Sequence, residues 1–257
     1  MKKTVVSAAV LACAASSMAA YADEPGKFSL GAGVFRTSGT YGGVQTTDIV
    51  YVPITGEYQT GDWRFKLIVP YLKITGPGNV LNGVGLVGNT TTTARSSRSG
   101  LGDVIAKATR KVYDGGASGF MVSLTGKIKF GTADPARGLG TGQNDYAFQT
   151  NVARMFGHLT TFGSIGYRIY GSPATYTLNN AFYGLLGGSY KFTPETHAGL
   201  MVFARQAVLV NGYQRREAML FVNQKVDPRW KLQGYLIKGF AKASPDFGAG
   251  ISLMRAL

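Results

Sequence analysis

The sequence predicts an all-β protein, a transmembrane up-and-down antiparallel β-barrel of about twelve strands preceded by a cleavable signal peptide. Three observations carry that prediction. The stretch 63–71 places Trp63, Phe65, Leu67, Val69 and Tyr71 on one face of an extended chain, with Arg64 and Lys66 on the other. The same alternation recurs in roughly a dozen segments bounded by Gly, Asn, Asp and Pro. The connections between them alternate between tight and long, the pattern of barrels with periplasmic turns and extracellular loops.

The N-terminus has the layout of an export signal. Lys2 and Lys3 precede a short apolar core, Val5 to Ala15, and Ala20-Tyr21-Ala22 fits a small-x-small cleavage site. The expected organisation is a signal peptide at 1–22 and a barrel at 23–257. Cys13, the only cysteine, lies inside the signal, so the mature chain is expected to hold no thiol, disulfide or cysteine metal site. A lipoprotein reading of Val10-Leu11-Ala12-Cys13 is disfavoured by the bulk of Leu11 and the very short apolar stretch before it.

Composition agrees with the barrel. The chain has 257 residues, 45% hydrophobic and 16% charged, with a mean hydropathy of +0.03. No apolar run beyond the N-terminus is long enough for a membrane-spanning helix, which excludes a helical membrane protein. Near-zero hydropathy follows when apolar and polar positions average out along each strand.

The expected strands are 27–36, 47–58, 62–74, 102–112, 118–131, 145–156, 158–170, 181–192, 197–207, 215–225, 229–240 and 247–257. The segment 102–112 is irregular because Arg110 interrupts its apolar face, and 215–225 is short. Closure is required because hydrocarbon cannot satisfy the polar backbone of an open edge. Expected lipid-facing residues are Phe28, Leu30, Ala32 and Val34; Phe120, Val122, Leu124, Ile128 and Phe130; and Phe247, Ala249, Ile251 and Leu253. A soluble sandwich or lipocalin-like barrel would also alternate. Against it, Trp63, Tyr71, Tyr146 and Trp230 stand at strand ends, where an interfacial aromatic girdle belongs.

The formal net charge of +14 falls to +12 once Lys2 and Lys3 are removed. The basic residues do not cluster as a nucleic-acid-binding face would require; many stand singly at the polar positions of alternating strands. The opposite parity presents Glu57, Arg64, Lys66, Asp103, Lys107, Lys111, Lys127, Lys129, Gln149, Asn151, Arg168, Arg205, Lys231 and Gln233 to the interior. Cationic rings in a pore favour anions over cations. Arg64, Lys66, Lys107, Lys127, Lys129, Arg168 and Lys231 are therefore candidates to line a solute path, with Glu57 and Asp103 orienting them. Two alternatives stay open. Lysines near strand ends could face water or lipopolysaccharide phosphates, and others could neutralise Glu57, Asp103 or Glu217 in a packed interior. Twelve strands leave a lumen that side chains nearly fill.

Little points to chemistry. The two histidines, His158 and His197, map to the periplasmic end, away from the extracellular carboxylates Asp48, Asp134 and Asp145. No nucleophile–base pair or metal site is expected, and no cofactor. The loop 138–142 lacks the spacing and following helix of a phosphate-binding loop. Asn89-Thr90-Thr91 forms a glycosylation sequon of no consequence behind a bacterial-looking export signal. The segment 76–100 is the longest connection.

Tyr51-Val52-Pro53, the run WRFKLIVPYLKITGPG at 63–78, the stretch SGLGDV at 99–104 and KIKFGTADPARGLGTGQNDY at 127–146 together resemble a family of proteobacterial outer-membrane proteins. That family is catalogued under the meta-pathway of phenol degradation and labelled a transporter. The resemblance covers most of the mature chain and implies an outer-membrane barrel passing aromatic or other hydrophobic compounds. It supplies no catalytic residues. The chain departs from the usual barrel ending in finishing on Leu257 instead of an aromatic. The expectation is a monomeric channel for passive uptake of small organic, anionic or aromatic compounds, set in outer-membrane lipid and lipopolysaccharide. The alternative is a closed structural or adhesive barrel without transport.

Overall fold

The computed structural model describes residues 26–77, 80–81, 85–86, 94–210 and 212–257. The expected signal peptide, the sequon and much of the 76–100 connection lie outside the described residues. The strands are β1 (Lys27–Gly39), β2 (Thr47–Thr60), β3 (Trp63–Pro77), β4 (Val80–Leu81), β5 (Gly85–Leu86), β6 (Arg95–Leu101), β7 (Ile105–Asp114), β8 (Phe120–Lys129), β9 (Asp145–Phe156), β10 (Leu159–Ile169), β11 (Ala181–Lys191), β12 (Thr196–Arg205), β13 (Arg215–Lys225), β14 (Trp230–Gly239) and β15 (Phe247–Ala256).

Each long strand pairs antiparallel with its sequence neighbours, and β1 returns to β15 through a register running from Ser29↔Ala256 to Ser38↔Phe247. The sheet is therefore a closed barrel. β4 and β5 pair only with each other. β6 and β7 stack end to end against one strand: β6 pairs with Tyr71–Pro77 of β3 and β7 with Trp63–Ile68. Counted as one stave, they give the expected twelve. The fourth strand is thus longer than the expected 102–112 and broken within it, since pairing begins at Arg95. β8 stops opposite Ile105, so among the described residues β6 has a strand neighbour on one side only. The following segment covers it by side-chain contacts instead of a ladder. The Thr132 hydroxyl donates to the Gly102 carbonyl (3.1 Å) and accepts from the Val104 amide (2.9 Å).

Alternation sets the two surfaces of the wall. In β3, Trp63, Phe65, Leu67 and Tyr71 face outward and exposed, while Arg64, Lys66, Ile68, Leu72 and Ile74 are buried inside. Aromatic residues ring the exterior at both ends. Phe28, Tyr58, Trp63, Tyr113, Phe120 and Phe156 mark the short-turn end, and Tyr71, Tyr146, Phe182 and Phe247 the long-loop end. Between them lie Leu186, Ile165, Leu200, Leu220 and Ile251, all exposed. An eleven-residue strand tilted about 40° rises roughly 28 Å, close to the height of an outer-membrane apolar band. A continuous greasy exterior of that height places this barrel in a bacterial outer membrane.

Arg110 faces outward and covers the Trp63 ring at 5.5 Å, so its interruption of the apolar face is met by an interfacial aromatic. At the same end, Arg255 covers Trp230 at 5.4 Å.

Leu186, midway along β11 and 66% exposed, tests the exterior directly. Leu186→Arg is expected to lower the stability of the barrel folded into phospholipid vesicles by about 2–4 kcal/mol, as a cation near the bilayer midplane costs. Urea titration of vesicle-folded protein measures it. An unchanged midpoint would place this face in water.

Candidate functional site: the barrel lumen

The register of the strands divides the inner wall into two halves of different chemistry. One half is cationic and polar. Direct cross-strand pairing runs Glu57↔Lys66↔Lys107↔Lys127↔Ala147↔Arg168, climbing from the short-turn end of β2 to the long-loop end of β10. A parallel row runs Gln59↔Arg64↔Thr109↔Thr125↔Gln149↔Gly166↔Tyr183↔Arg205↔Arg215. Strand tilt turns both rows into a spiral stripe.

The other half is apolar and largely aromatic. Leu72, Tyr51, Phe35, Gly250, Tyr235, Phe221 and Gly199 are successive pairing partners across β3, β2, β1, β15, β14, β13 and β12. Above them Ile74, Ile49, Ile237, Met219 and Met201 are almost fully buried. Phe35 stacks on Tyr235 with ring centroids 5.2 Å apart. The glycines make this possible. A Cβ on Gly250 would collide with the Phe35 ring and lie 2.8 Å from the Tyr235 ring carbon. Phe35, Tyr51, Tyr235 and Phe221 are thereby buried on this side of the lumen.

Carboxylates fix much of the cationic stripe. Glu57 takes Lys66 at 2.8 Å and Arg64 at 3.4 Å, and Lys231 acts on it from the short-turn mouth, where that lysine is exposed. Near the other end Asp103 takes Lys129 at 2.8 Å, and its second oxygen accepts the Ala133 amide at 3.0 Å. Asp103 sits at the break between β6 and β7, so it joins the broken stave to the covering loop. Asp145 takes Arg168 at 2.8 Å and Lys129 at 3.4 Å. Glu217 receives both ends of the Arg215 fork, Nη2 at 2.7 Å from Oε2. Lys107 and Lys127 stand between these two groups in the middle of the stripe, partly buried.

Of the residues singled out from sequence, the structure brings Glu57, Arg64 and Lys66 into one cluster, and Asp103, Lys129 and Arg168 into a second linked by Asp145. Lys231 belongs to the mouth. Sequence reasoning missed Arg215 and Tyr170, the bridging role of Asp145, and the whole aromatic half-wall. Phe203 and Phe221 alternate with Val202 and Val222, so both faces are apolar and parity carries no signal there, while Phe35 takes the parity opposite the expected lipid-facing Val34.

Residues of the long loops pack over the extracellular end. Tyr41, in left-handed backbone (φ 46°), is buried and donates its hydroxyl to Thr37 at 2.6 Å. Burial raises its phenol well above the ordinary range, so it stays neutral. Ala133 and Leu139 pack on the same core. Tyr170, Leu178, Val208 and Leu209 form a second roof with Tyr176, whose phenol burial pushes up to about 12. His158 lies in the β9–β10 turn and His197 is the second residue of β12, both at the short-turn end.

A family model described as "Putative MetA-pathway of phenol degradation" matches residues 22–254. The chain belongs to this family. The expected resemblance to the phenol-degradation transporters therefore holds over nearly the whole barrel. No curated protein matches the chain in sequence. Among solved structures, the COG4313 outer membrane channel from Pseudomonas putida F1 is similar in fold, at 15% identity and a TM-score of 0.67, over 92% of this chain and 97% of that one. The CymD monoaromatic hydrocarbon channel aligns at 8% identity and a TM-score of 0.50, over 91% and 89%.

Asp145 holds two buried cations at once. Asp145→Asn is expected to destabilise the folded barrel by about 3–5 kcal/mol, the cost of leaving buried charge unpaired. Urea denaturation followed by the gel mobility of unheated samples measures it. A loss below about 1 kcal/mol would mean that lumen water already carries these charges.

Proposed function

We propose that this member of the phenol-degradation family is a monomeric, passive, non-enzymatic outer-membrane channel for small organic solutes, aromatic or anionic. One observation carries the reading: a cation-rich polar stripe and a largely aromatic wall line different sides of one lumen. The stripe attracts negative charge and repels cations, and its central lysines give an anion successive sites without one deep trap. The aromatic wall gives the body of a ring compound a surface to slide along, through stacking and dispersion. Monoaromatic hydrocarbons, the solutes named for CymD, share that body; here the cations add a handle for an acidic group.

Carboxylates pair with much of the stripe, which favours a weakly selective path over a high-flux anion pore. It also supports, as a second reading, a closed structural barrel whose ion pairs seal the interior. Conductance separates the two. In planar bilayers under a salt gradient, the purified protein is expected to conduct with a reversal potential favouring anions. Replacing Lys66, Lys107 and Lys127 together by Gln should bring the preference close to unity, and in 1 M salt, where screening reaches about 3 Å, the wild type should lose most of it. Cation preference, or no conductance at all, would overturn the channel reading.

A further inference from the structure

One buried charge at the extracellular end of the lumen has no counter-ion among the described residues. Lys129 has Asp103 and Asp145, Arg168 has Asp145 and Arg215 has Glu217. Arg205, 4% exposed, has none. Its Nη1 donates to the Tyr170 hydroxyl at 2.8 Å, while its Nε and Nη2 are buried without a hydrogen-bond partner. Its charged neighbours are Arg168 and Arg215, which repel it, and the Nε of Arg168 and the Nη1 of Arg215 likewise have no partner. Three guanidiniums therefore meet with donors to spare. Burying a charge is strongly unfavourable unless an opposite charge accompanies it.

The surroundings restrict what that partner is. Along the inner face of β12, Arg205 is followed by Phe203 and Met201, both buried. Phe203 lies 5.5 Å from the Arg215 guanidinium carbon and 6.5 Å from the Tyr183 ring. Leu178, Val208 and Leu209 roof the site. A doubly charged inorganic anion would surrender its hydration to largely apolar neighbours. A carboxylate matches the unpartnered Nε and Nη2 of Arg205 with two parallel hydrogen bonds, and an aromatic ring attached to it matches the apolar and aromatic neighbours in chemistry.

We propose that Arg205, flanked by Arg168 and Arg215, binds the carboxylate of an aromatic monocarboxylic acid, with the ring against Phe203 and Met201. The inference deepens the channel reading and rests on it for the solute's passage, but binding is measurable without transport. The purified full-length barrel in detergent is titrated calorimetrically with benzoate, benzyl alcohol and acetate. Benzoate is expected to bind saturably, and benzyl alcohol (ring without charge) and acetate (charge without ring) at least tenfold more weakly. Arg205→Gln should weaken benzoate at least tenfold, and Arg205→Lys, which keeps the charge but not the fork, should fall between. The mobility of unheated samples checks that each variant folds. Equal binding of benzyl alcohol, or unaltered benzoate binding by a folded Arg205→Gln, overturns the site. If that variant does not fold, the wild-type ligand series decides alone. Saturable benzoate binding without conductance keeps the site and removes the channel. Conductance without benzoate binding does the reverse.

Discussion

Closure of the sheet in hydrocarbon is the constraint on which everything else rests. A strand edge in lipid leaves a row of backbone donors and acceptors with no partner, each unfavourable by several kcal/mol. The β1–β15 seam removes that edge. Once the sheet is sealed, the pleat sends each side chain either to lipid or to the lumen, and a one-residue slip would exchange the two faces. The positions of Lys66, Phe35 and Arg205 inside, and of Phe65, Val34 and Val202 outside, follow from that single fact. Beside β6, where no second strand pairs among the described residues, Thr132, Asp103 and Arg98 make side-chain bonds to neighbouring backbone.

In a barrel of twelve strands side chains nearly fill the lumen. Its inner positions are few, and every large side chain there narrows the path. The sequence spends these positions unequally around the circumference, with cations on β3, β7 and β8 and aromatics on β1, β2, β13 and β14. Glycines paired directly with rings, Gly250 with Phe35 and Gly199 with Phe221, let the aromatic half pack without distorting the wall. The outcome is an interior whose two sides differ in chemistry, cationic on one and apolar on the other.

How much of this was legible in the sequence depended on contrast between the two faces. Where polar alternates with apolar, as at Trp63–Tyr71, parity gave both the strand and the side of the wall. Eleven of the twelve staves fell within three residues of their expected bounds. The fourth did not, because its first part, Arg95–Leu101, is polar and reads as loop; only pairing with the upper part of β3 makes it a strand. The aromatic half-wall was invisible because Met201-Val202-Phe203 is apolar at every position. The ion pairs needed register as well as parity. Asp145 and Arg168 are 23 positions apart and meet only because β9 and β10 pair with Arg168 opposite Ala147. Tyr41, which packs over the extracellular end, lies in a connection where no periodicity operates, and Tyr170 was expected to end a strand but stands just past β10.

The alternation itself is open to direct measurement. Single cysteines placed one at a time at positions 63 to 72, spin-labelled in lipid vesicles, report collision with dissolved oxygen against a water-soluble nickel complex. The account predicts a two-residue oscillation, with oxygen favoured at 63, 65, 67 and 71 and suppressed at 64, 66, 68 and 72. A smooth profile, or one with a helical period, would contradict it.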